Sequence, residues 1–107
     1  MINDELINEI NKNIPVVLPV ELSLDELQVQ LASYINQLIQ NSFQKLISLL
    51  YRIDVSETKL KQLLQQHPGE DAGKIIAGMI IERQLEKINS RRQFKQPDDN
   101  FTEEEKW

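Results

Sequence analysis

Residues 23–53 read SLDELQVQLASYINQLIQNSFQKLISLLYRI, and this stretch decides the fold. It opens with Ser23-Leu24-Asp25-Glu26, a capping-box pattern. The Ser23 hydroxyl can accept from the amide of residue 26, and the Glu26 carboxylate can reach back to the amide of Ser23. Apolar residues then recur every eleven positions: Leu24, Ile35, Leu46; Leu27, Leu38, Leu49; Leu31, Ser42, Ile53. Eleven residues in three turns is 3.67 per turn, close to a straight α-helix, whereas a strict heptad would drift off the stripe. The pattern predicts one helix over 24–53, about 45 Å long at 1.5 Å per residue. Its one flaw is Ser42, beside Asn41. Both side chains compete for backbone hydrogen bonds, so a bend is expected there if the helix is not straight. Beyond this point Ile39, Phe43, Ile47 and Leu50 add a second apolar face. That face predicts a C-terminal half buried on two sides and placed centrally.

The flanking segments are read the same way. Residues 2–13 predict a short helix with Leu6, Ile7 and Ile10 on one face, and with Asp4, Glu5 and Glu9 favouring its positive N-terminal end. Residues 14–22 (Ile-Pro-Val-Val-Leu-Pro-Val-Glu-Leu) contain two prolines, which remove amide donors and extend the residues before them. They predict an extended apolar arm, lying over its own core or over a second subunit. Asp54 or Ser56 caps the next helix, striped by Leu60, Leu63 and Leu64 and stopped by His67-Pro68-Gly69. Asp71 caps a last helix over 72–95. Its predicted buried positions are Ile75, Ile76, Met79, Ile80, Ile81, Leu85, Ile88 and Phe94, and Gly73, Ala77 and Gly78 offer a flat patch for close helix approach. Residues 96–107 hold five acids and one base after Pro97, and predict a flexible acidic tail. The sum is an all-α domain of about four helices over 1–95.

Composition bounds the function. The 107 residues carry 12 Lys+Arg against 17 Asp+Glu, a net charge of -5, with no Cys and one His. Thiolate metal sites, disulfides and cysteine nucleophiles are excluded. Aromatics are 6%, too few for a run of base-stacking platforms. The N-terminus lacks the basic and apolar regions of a secretory signal, and the longest apolar runs, 16–18 and 75–81, fall far short of the roughly 20 residues that span a membrane. A cytoplasmic protein without a membrane partner is expected.

No set of reactive side chains converges. Gly69-Glu70-Asp71-Ala72-Gly73-Lys74 is one residue short of a phosphate loop between its glycines, and Ile75 stands where a Mg²⁺-binding hydroxyl is needed. His67 near Glu70 and Asp71 lacks metal-ligand spacing. An enzyme or ligand carrier would need an enclosed polar pocket around His67, Tyr34 or Tyr51. No catalytic, cofactor or metal residue is assigned, and no cofactor is expected. The one candidate binding feature is a basic stripe on the last helix: Arg83, Lys87, Arg91, Arg92 and Lys95. The first three sit four apart on one face. Residues 54–95 nevertheless hold eight bases and six acids, and Glu82 and Glu86 interrupt the field. The stripe therefore reads first as a solvated face, and second as a nucleic-acid or acidic-partner surface.

Leu49-Leu50-Tyr51-Arg52-Ile53-Asp54-Val55-Ser56-Glu57, with Ile80-Ile81-Glu82-Arg83-Gln84 and Arg91-Arg92-Gln93-Phe94, resembles short helical proteins of Bacteroidetes that carry no assigned function. The likeness covers the C-terminal half. It implies a bacterial, cytoplasmic protein and transfers no site. The expectation is a non-enzymatic interaction or structural protein, self-associating as a homodimer and open to a protein partner. The alternative is a regulator that binds nucleic acid or an acidic partner through its last helix, with nucleic acid the less favoured ligand.

Overall fold

The computed structural model describes residues 2–95, which form five helices. These are α1 (Ile2–Asn11), α2 (Leu24–Asn41), α3 (Phe43–Ile53), α4 (Glu57–Gln66) and α5 (Ala72–Lys95). The fold is all-α, and no strand occurs among the described residues. The expected tail, 96–107, lies outside them, as does the expected burial of the Phe94 side chain.

The capping box at Ser23 forms as its sequence predicts. Ser23 N donates to Glu26 Oε1 at 2.9 Å, and Glu26 N donates to Ser23 Oγ at 3.2 Å. The helix it opens is not continuous to residue 53. Ser42 leaves the helical region (φ -155°, ψ 59°), giving five helices where four were expected. Its amide still donates to Leu38 O at 2.9 Å, while its carbonyl accepts from Lys45 N at 2.9 Å, so one residue closes α2 and opens α3. The reason is burial. Leu46, Leu49 and Ile53 are at most 2% exposed and share the core with Leu27, Leu31, Ile35 and Leu38. The break turns α3 back onto the core, at a point where Asn41 and Ser42 resist least.

α2 packs chiefly on α5. Gln28 Nε2 donates to Lys74 O at 3.2 Å and Asn36 Nδ2 to Asp71 Oδ1 at 3.0 Å, so the two helices run antiparallel. Small residues permit the approach. A Cβ at Gly73 would collide with the Asn36 side-chain amide, and one at Gly78 would lie 3.0 Å from Gln28 Nε2. Asp71 caps α5 through Gly73 N, 3.1 Å away. On α5 the core takes Ile76, Ala77, Ile80 and Ile88, while Ile75, Ile81 and Leu85 are half-buried. One buried position escapes the hydropathy reading: Gln84, 2% exposed.

The helix predicted over 2–13 stops at Asn11, and Leu6, Ile7 and Ile10 are fully buried as expected. The arm folds back on its own chain. Ile14 and Leu18 enter the core while Val17 stays outside. The Asn11 side chain clamps the Leu18 backbone, donating from Nδ2 to its carbonyl at 3.0 Å and accepting from its amide at Oδ1 at 2.9 Å.

α4 is the loosest element. Ser56 caps it by accepting from Lys59 N at 3.2 Å, yet none of its residues is buried. Asp54 takes a different part. It ends α3 in the left-handed region at φ 65°, ψ 49°.

Candidate interaction surface

The basic stripe on α5 is largely engaged within the chain. Arg83 Nε donates to Asp54 O at 3.0 Å, Nη2 to Asp54 Oδ2 at 3.1 Å and Nη1 to Glu86 Oε1 at 3.2 Å. Arg91 Nη1 meets Glu9 Oε1 at 3.3 Å, and Arg92 pairs with Glu5. These contacts tie α5 to the end of α3 and to α1. Lys87 has no carboxylate within salt-bridge distance among the described residues, and Lys95 is the last residue of α5. The stripe is thus a set of internal clamps more than an open cationic surface.

Three carboxyl and hydroxyl groups depart from ordinary acidity. Glu9 is held below the usual carboxylate range, first by its hydrogen bond from Lys12 and then by Arg91, against the opposing effect of partial burial. Glu26 is lowered by the Ser23 backbone and side-chain hydrogen bonds. Partial burial pushes the Tyr34 hydroxyl up, and the Arg52 charge works against that. The two carboxylates serve helix ends, and none of the three belongs to a convergent cluster.

His67, Tyr34 and Tyr51 are not brought together. His67 Nδ1 lies 2.9 Å from Glu70 Oε2, with both side chains open to solvent. Tyr34 borders a cleft beneath the arm, and Tyr51 borders a groove between α3 and α4. Among the described residues, no group of three or more His, Asp or Glu is placed to hold a metal ion. No described helix is long and apolar enough to cross a membrane.

The most distinctive surface is one the sequence reading assigned in part to the core. Phe43 and Ile47 were expected on a buried second apolar face, while Tyr51, one turn on, carried no such expectation. The three form a row of successive i, i+4 positions on the outside of α3, 56%, 36% and 81% exposed. Beside this ridge lies a groove of about 290 Å³ whose apolar walls are Leu50 and Val55 on one side and Leu60 and Leu64 on the other. The groove lies where α4 packs more on α5 than on α3. Periodicity showed that α3 has a second apolar face; it could not show that α4 would leave that face open. Asp54, Glu57 and Lys61 give the groove a rim of mixed sign.

Comparison with protein-family models, with curated proteins and with solved structures finds no match.

Proposed function

We propose that this chain is a non-enzymatic interaction protein that self-associates as a homodimer through the outer face of α3 and α4. One observation carries the reading: an apolar ridge (Phe43, Ile47, Tyr51) stands beside an apolar groove on the same face. A ridge and groove side by side are self-complementary. A two-fold axis through the face seats the ridge of each copy in the groove of the other. The area fits. From the exposures, the ridge and groove offer on the order of 400 Å² of apolar surface, and one side of a standard interface holds roughly 450 Å² of it. The rim of Asp54, Glu57 and Lys61 carries both signs, which suits a rotated copy better than a strongly charged partner. The setting is read as bacterial and cytoplasmic, on the resemblance alone. The alternative, a nucleic-acid or acidic-partner surface on α5, is weaker because Arg83, Arg91 and Arg92 already hold carboxylates.

Sedimentation equilibrium tests the proposal. The intact chain is expected to dimerise, and Ile47→Asp to give a monomer with unchanged helix content and a Tm that no longer depends on protein concentration. An intact chain that stays monomeric at the highest attainable concentration overturns it, as does an Ile47→Asp variant that dimerises as before.

A further inference from the structure

Adjacent to the apolar ridge, on the other side of α3, lies a cleft of about 430 Å³ bounded by Pro15, Tyr34, Gln44, Lys45, Ser48, Leu49 and Arg52. Its charge is all of one sign. Lys45 and Arg52 have no carboxylate within salt-bridge distance among the described residues, whereas Arg83, Arg91 and Arg92 all do. Arg52 is already aimed: its Nη2 donates to Asn13 O at 2.7 Å, which fixes the guanidinium at the mouth of the arm. Gln44, Ser48 and Tyr34 add neutral donors around the two cations. Such a set suits a run of carboxylates.

The same chain carries that run. Residues 96–107 hold Asp98, Asp99, Glu103, Glu104 and Glu105 against the single base Lys106, a charge of -4 in twelve residues. We propose that this acidic segment docks in cis in the cleft between the arm and α3, its carboxylates on Lys45 and Arg52. Reach is not limiting. Arg91 Nη1 contacts Glu9 Oε1 at 3.3 Å, Asn13 Nδ2 donates to Glu9 O at 3.0 Å, and Arg52 donates to Asn13 O at 2.7 Å. That relay of neighbours connects the last turns of α5 to the cleft, and twelve extended residues cover about 40 Å. Tethering gives the segment an effective concentration on the order of millimolar, against which a free anion must compete. The segment is therefore placed on Lys45 and Arg52, which hold no described carboxylate, and not on Arg83, Arg91 and Arg92, which already do.

The test uses the intact chain and ¹H–¹⁵N correlation spectra. Replacing the three glutamates together (Glu103→Gln, Glu104→Gln, Glu105→Gln) leaves residues 2–95 untouched. Amide shifts outside 96–107 are expected to concentrate on Gln44, Lys45, Ser48 and Arg52, and to be independent of protein concentration. About 0.5 M salt, where the Debye length falls to roughly 4 Å, is expected to move the same resonances in the unsubstituted chain. Shifts confined to 96–107, shifts centred on Arg91 and Arg92, or shifts that grow with concentration and so place the segment on a second copy, each overturn the proposal. Docking in cis needs no dimer, so a monomeric chain that shows these shifts would sink the homodimer reading and leave this one standing.

Discussion

Arg83 holds Asp54 at two points, its backbone carbonyl at 3.0 Å and its carboxylate at 3.1 Å. Asp54 is the sole non-glycine residue with positive φ among those described, and it closes α3 where the chain turns into α4. A left-handed conformation costs an ordinary side chain about 1–2 kcal/mol, and a short polar one less. The Arg83 guanidinium offsets what remains by fixing the turn. Asp54→Ala is therefore expected to lower stability by roughly 1 kcal/mol, through backbone strain and the lost contact. Asp54→Gly, which removes the strain along with the carboxylate, is expected to stay near wild type. Denaturant unfolding of the two variants checks this, and equal losses would show that the conformation carries no cost.

The contact between α2 and α5 depends on the missing side chain at Gly73. An added Cβ there meets the Asn36 amide, which is itself bonded to Asp71. Gly73→Ala gains helix propensity of up to about 1 kcal/mol, yet overpacking typically costs about 1–3 kcal/mol. The variant is expected to be destabilised on balance. Combining it with Asn36→Ala removes the clash and is expected to recover much of the loss, a coupling that a double-mutant cycle measures directly. Simple additivity of the two changes would remove the steric explanation.

Much of this fold is legible in residue spacing, and the illegible parts share one cause. Leu27, Leu38 and Leu49 recur at eleven and are all buried, although the helix that was to carry them is broken. The repeat reports which side of the chain faces the core. Whether the chain reaches that core straight or by doubling back is decided by tertiary burial, so Ser42 showed only as an irregularity. The same limit applies to Phe43 and Ile47: amphipathicity identifies a face but not its cover. The α5 arginines were readable as charges, while their partners Glu5 and Glu9 lie more than eighty residues away in sequence. Gln84 sits one turn from both Ile80 and Ile88, so helical spacing places it on the core face, while its polar residue type hides it from a hydropathy reading.

Gln84 yields its own prediction. Its side chain makes no hydrogen bond to the described residues. Burying an amide without a full set of partners costs roughly 1–3 kcal/mol by mutational measures. Methionine has similar length and volume and adapts to irregular space. Gln84→Met is expected to stabilise the domain by on the order of 1 kcal/mol, raising Tm by about 4–8 °C. A lower Tm would mean that the amide is satisfied in solution.

Acid stability follows from the α1–α5 clamp. Glu9 accepts from Lys12 and Arg91, and its carboxyl titrates below the ordinary range in the folded chain. In the unfolded chain it titrates near 4.3 as an unperturbed glutamate does. A folded-state value below the unfolded one means that folding favours the ionised form. The stabilisation is complete above about pH 4.3 and disappears as pH falls through the folded-state value. Glu26, lowered by its bonds to Ser23, acts in the same direction. Thermal stability is therefore expected to fall on acidification through this window. Arg91→Gln removes one of the two cations on Glu9, and with Arg91 and Lys12 both largely exposed its cost at pH 7 is below about 1 kcal/mol. That cost belongs to the ionised carboxylate, so the Tm gap between Arg91→Gln and wild type is expected to narrow toward zero as pH falls below the folded-state value. A gap of unchanged size across the titration would assign the role of Arg91 to packing of its side-chain stem and not to its charge.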